Sequence, residues 1–231
     1  MAYQCVATTV AGFVQQLAVG YIARGYYFYV SGFIPPEKDP AQTDVKIIGQ
    51  YGLDISKWTR CRQRKDGKAG VQYLRYRHQF VLLATHGEHP FFEEEARMIR
   101  DARVEPIKFA GYAIGCRQGR DKRAFHPSVR IRQEIYRDLK QRFERLALRQ
   151  DAEALAGALR TVPFEPYAPV QDQIRCILRA VNRSRKAAGL ELVPWQGVIR
   201  ERRVVRPFAA TTKTRPGVPD PPPAVRDSGG R

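Results

Sequence analysis

The stretch 71–84, VQYLRYRHQFVLLA, alternates apolar and polar side chains with the period of two that a strand requires. Leu74, Tyr76, His78, Phe80 and Leu82 fall on one side. Tyr73, Arg75, Arg77 and Gln79 fall on the other. The pattern predicts a half-buried strand whose open face carries cations and an aromatic ring.

The same reading orders the rest of the chain. Residues 3–10 are rich in β-branched side chains and predict a first strand. Phe13, Leu17 and Tyr21 recur at fourth-residue spacing, a helix over 11–24 that Gly25 stops. Residues 26–34, YYFYVSGFI, are an aromatic strand closed by Pro35-Pro36. Val45, Ile47 and Ile48 suggest a short helix ending near Gly49 or Gly52, and a further helix begins near Asp54 with Trp58 as its buried anchor. Arg60, Arg62, Arg64, Lys65 and Lys68 then make a basic segment, a solvated loop or a footprint for a polyanion.

Beyond the central strand, Pro90 opens a helix lined by Phe92, Ala96 and Ile99, with Glu93, Glu94 and Glu95 complementing its dipole. Residues 107–116 predict a fourth strand and 119–125 a basic turn. Ser128 caps a long helix to about Arg149, with Ile131, Ile135, Leu139, Phe143 and Leu146 on one face. A short helix over 151–159 and a Pro-rich elbow over 162–169 lead to the clearest helix, 170–188. Its apolar stripe is Val170, Ile174, Ile177, Leu178 and Val181; Arg175, Arg179, Arg183 and Lys186 cluster opposite.

The expected fold is α+β: a small antiparallel sheet with packed helices in a ferredoxin/RRM-like order, then a basic C-terminal helical segment and a disordered tail. The boundaries are an α+β domain at 1–125, a basic helical segment at 127–188, a basic extended segment at 189–208 and the Pro/Gly/Ser-rich tail at 209–231.

Charge sharpens this picture. The net charge is +17, with 40 basic against 23 acidic residues. Arg24, Lys38 and Lys46 are balanced by Glu37, Asp39 and Asp44 in the first fifty residues, so the excess lies later. Arg greatly outnumbers Lys, and its planar fork suits phosphate, so the leading expectation is nucleic-acid binding, DNA or RNA, without a cofactor. The expected binding residues are Tyr73, Arg75 and Arg77 on the strand and Arg175, Arg179, Arg183 and Lys186 on the helix. Cys5, Cys61, Cys116 and Cys176 are too far apart for a zinc ribbon or a disulfide framework. With no convincing signal peptide and no run of membrane-spanning length, the expectation is a cytoplasmic protein with no membrane partner.

His86 and His89 flank Glu88 after the central strand, a pair able to hold a divalent ion. The layout strand, helix, strand, strand, helix, strand, then a long helix bearing Tyr136, resembles the HUH endonucleases of mobile elements. That resemblance implies a DNA-nicking enzyme in which His86 and His89 hold Mg²⁺ or Mn²⁺ and Tyr136 attacks the phosphodiester. The spacing departs from the family, which places one hydrophobic residue between its histidines; here Gly87 and Glu88 intervene. A third expectation is a protein-interaction module for an acidic partner.

Overall fold

A computed structural model describes residues 3–119 and 124–209. The expected basic turn and C-terminal tail lie largely outside the described residues. Thr9 caps α1 (Val10–Gln15) by accepting from the Gly12 amide. The helix continues as a π segment, Gln16–Tyr21, and a 3₁₀ turn, Ile22–Arg24. It ends at Gly25, whose φ of 89° is open to glycine at no steric cost. Residues 3–10 do not form a strand; only Val6 bridges Arg75 there.

The aromatic strand is β1 (Phe28–Phe33), followed by α2 (Pro40–Gln50), capped by Asp39, and α3 (Lys57–Lys65), capped by Ser56. Trp58 does not anchor α3, being 85% exposed. The alternating stretch is two strands, β2 (Val71–Tyr76) and β3 (Gln79–Ala84), joined by a two-residue turn at Arg77 and His78. Arg77 takes a φ of 53° to close it.

A single turn, α4 (Phe91–Glu94), stands where a longer helix was expected, and β4 (Arg100–Asp101) follows. The next predicted strand is also a hairpin, β5 (Ile107–Phe109) and β6 (Tyr112–Gln118), turning at Ala110 and Gly111 with φ of 44° and 83°. Two positive φ values in a two-residue loop match the right-handed twist of the flanking strands. Ser128 caps no helix. It lies within β7 (Phe125–Ile131), which pairs along the length of β6, and α5 (Gln133–Leu146) starts after it. Asp151 caps α6 (Ala152–Arg160), and α7 (Ala168–Ala187) ends before Gly189, φ 70°.

The class is mixed α+β with two small antiparallel sheets, ordered β2-β3-β1-β4 and β5-β6-β7, where a single sheet was expected. One large apolar cluster joins α1, one face of the first sheet (Leu74, Val81, Leu83), the inner face of the second (Ile107, Ile114, Val129, Ile131) and the stripe of α7. A smaller cluster covers the other face of the first sheet, with Val71, Tyr73 and Leu82 against Tyr51, Leu53 and Phe91.

Residues 190–208 return over this body. Asn182 donates to the Val193 carbonyl and accepts from its amide, pinning the segment to α7. Gln15 bonds the Val205 backbone in both senses, and the Thr8 amide donates to Pro207. Gly12 makes that crossing possible, since a Cβ there would sit 2.9 Å from the Pro207 Cα. No helix among the described residues is long and apolar enough to cross a membrane.

Candidate nucleic-acid interface

The strand face does not form the expected platform. Tyr73 is fully buried, and its hydroxyl donates to Asp44 at 2.7 Å. Arg75 is buried beside it, bonded to both oxygens of the same carboxylate and to the Arg77 carbonyl. The structure removes Tyr73 and Arg75 from any stacking surface and leaves Arg77 exposed at the hairpin tip, its guanidinium 5.4 Å from the Tyr76 ring. Tyr29 is buried too, donating to the Glu105 carbonyl.

The helix residues are placed differently. α7 buries its apolar stripe against α5 and β7, which fixes Arg175, Arg179, Arg183 and Lys186 along the outer side. At 1.5 Å per residue these four cations form a row about 16 Å long. Arg179, Arg183 and Lys186 are exposed, and Arg175 is half-buried. Among the described residues the carboxylate paired with the row is Asp172, 3.0 Å from Arg175. The row borders a groove of about 550 Å³ between α7 and residues 192–195, with Leu178 and Val193 apolar within it. Trp195 closes one end, its ring 4.8 Å below the Arg175 guanidinium. An Arg laid on an indole face keeps its donors free at the edge for phosphate.

The fifth basic residue of α7 belongs to the interior. Arg185 is buried and donates to the carbonyls of Ala147 and Gln150, at the end of α5, and of Glu191. Ala147 is the C-cap of α5, where the last carbonyls lack partners within the helix, so the cation satisfies its oxygen and meets the negative end of the dipole.

A second cationic surface lies outside the expected binding residues. On the outer face of the second sheet, Arg117 and Arg130 stand close enough that their repulsion, after burial, pushes the Arg130 guanidinium down. Asp172 opposes that shift, so it lies within electrostatic reach of Arg130 as well as pairing with Arg175. The sheet face and the α7 row are therefore electrostatic neighbours. Alternation in residues 128–131, with Val129 and Ile131 buried and Arg130 outward, is the signal that would have found it.

His86 and His89 each have a partner of their own among the described residues. The His86 ring packs edge-on against Phe28 at 4.6 Å. Nδ1 of His89 accepts from the Phe91 amide at 3.1 Å, which commits one lone pair to starting α4. Burial holds the His89 imidazole below its usual range. No cluster of three or more His, Cys, Asp or Glu suited to a metal occurs among the described residues. Tyr136 packs half-buried against the large cluster, and burial, then Cys176 and Glu144, push its phenol up. An attacking phenolate needs the opposite shift.

No protein-family model, curated protein or solved structure matches the chain.

Proposed function

We propose that this chain binds nucleic acid, with the α7 row as its principal phosphate contact and the Arg175–Trp195 stack beside it. The observation that carries the reading is the row itself: four cations three and four residues apart, outward-facing, with Asp172 the carboxylate bonded to them among the described residues. A solvated ornamental face would be expected to intersperse acids at the same spacing. The neighbouring Arg117 and Arg130 extend the positive field over which a polyanion is attracted. The reading needs no cofactor, and four unpaired thiols suit a reducing compartment such as the cytoplasm.

The test is affinity against salt for Arg175→Ala/Arg179→Ala/Arg183→Ala. Each lost phosphate contact removes one released counterion, so the log–log slope should shrink by about 2–3. An unchanged slope would overturn the assignment of these three residues. Retention of an acidic protein with no retention of nucleic acid would favour the interaction-module reading instead.

A further inference from the structure

A second concave site lies away from α7 and shares no lining residue with its groove. The cleft, of about 700 Å³, opens between the π segment after α1, α3 and the start of β2. That volume falls within the range of ligand pockets, ~300–1,000 Å³. One wall is cationic. α3 supplies Arg60, Arg64 and Lys65, and Arg24 faces them from the end of the first helix. Among the described residues no carboxylate lines the cleft and none forms an ion pair with these four.

Arg60 is held in place without being neutralised: its Nη2 donates to the carbonyls of Leu53 and Ile55. Arg64, one turn on, lies 6.0 Å from the Tyr26 ring. A cation fixed by neutral carbonyls keeps its full charge for an incoming anion and loses little entropy on binding it.

The floor has different chemistry. Gln72 is buried, accepting from Tyr3 and donating to Tyr26. Gln16 lies over Gly20, where a Cβ would stand 2.6 Å from its amide carbon. The π segment Gln16–Tyr21 presents both residues to the cleft. Such one-turn widenings are costly relative to an α-helix and recur at functional sites. Amides and phenols at the floor with the Phe208 ring on the lining match the edge and face of a nucleobase, while the cationic wall matches phosphate.

We propose that this cleft binds a nucleoside phosphate, either a free nucleotide or the phosphorylated end of a strand. The site stands independently of the α7 row. Cys61, exposed, lines the cleft, whereas Cys176, exposed, sits on α7, so alkylation separates the two surfaces. The experiment follows the iodoacetamide labelling rate of each cysteine in the full chain, with AMP, ADP, a 5′-phosphorylated oligothymidylate or inorganic pyrophosphate added.

Saturating nucleotide should slow Cys61 about tenfold, as expected at ligand near ten times its Kd, and leave Cys176 unchanged. Protection should vanish in Arg24→Ala/Arg64→Ala/Lys65→Ala, weaken in Arg64→Ala alone, and persist in the triple α7 variant. Protection by AMP or ADP identifies a free nucleotide; protection by the oligonucleotide alone identifies a strand end. The proposal is overturned if no nucleoside phosphate protects Cys61, or if protection survives removal of the three cations. Equal protection by pyrophosphate would overturn the nucleoside assignment.

Discussion

Asp44 and Arg75 form a bidentate buried ion pair: Nε and Nη2 of Arg75 donate to the two carboxylate oxygens at 2.7 and 2.6 Å. Both side chains are 10% exposed, and Tyr73 donates to the same carboxylate. Asp44 arrives on α2, so the pair also fastens that helix to the edge strand of the first sheet.

Removing the acid should therefore be severe. Asp44→Ala strands a buried guanidinium and a buried phenol, and a loss of about 3–5 kcal/mol is expected in urea unfolding. Replacing both partners with apolar residues, Asp44→Leu/Arg75→Met, should cost much less than Asp44→Ala. Equal losses would show that packing, and not the unpaired charge, dominates.

Arg185 makes a second test of buried cation chemistry. Arg185→Met leaves three carbonyls without their donor, and a loss of about 2–4 kcal/mol is expected by thermal or urea denaturation. Arg185→Lys should recover little, because one ammonium lacks the planar fork that reaches α5 and Glu191 together.

His89 predicts a slope of stability with pH. Its folded pKa is lowered, so the unfolded chain binds the extra proton first. Stability from this group is full above the ordinary histidine value, near 6.5, and is lost as pH falls through the folded value. His89→Asn keeps an acceptor for the Phe91 amide but cannot titrate. Its urea midpoint should fall less steeply than that of the parent below about pH 6.5.

Thiol reactivity should divide the cysteines in two. Burial pushes the Cys5 thiol up to about 12 and the Cys116 thiol up to about 11, whereas Cys61 and Cys176 are exposed. The thiolate is the nucleophile, so Cys61 and Cys176 should alkylate first at mildly alkaline pH, and Cys5 and Cys116 only on unfolding. Mass spectrometry of timed samples checks the order.

Trp195 should report binding directly. If a base stacks beside Arg175, Trp195→Ala should weaken nucleic-acid binding by about 1–3 kcal/mol, measured by titration at fixed salt. An unchanged affinity would confine the interface to phosphate contacts.

The sequence pattern located elements well where a helix buries one stripe. The α7 stripe and its opposing cations were legible because the period of 3.6 separates them and Gly189 marks the end. The hairpin 71–84 was not. A turn at Arg77 and His78 carries no Gly, Pro, Asn or Asp, and it reverses which side each later residue faces. Read as one strand, Leu74 belongs with Leu82; in the hairpin, Leu82 sits opposite Tyr73 and Val81 opposite Leu74. Both faces are then buried, and the supposed open face is a core. Arg75 looked solvated because its partner lies thirty-one residues earlier on another element. The cleft was hidden for a similar reason: Arg24 and Arg64 meet only after the chain has folded.

The strap formed by residues 198–208 sets an order of events. Thr8, Gly12 and Gln15 find their partners at Val205 and Pro207, so α1 acquires its outer cover from backbone made about 190 residues later. Contacts that distant in sequence form late, after the rest of the loop has closed. During synthesis the first helix must pass most of its time with that surface bare. A chain cut short before the strap would carry the exposed face permanently, a handle by which incomplete copies differ from finished ones.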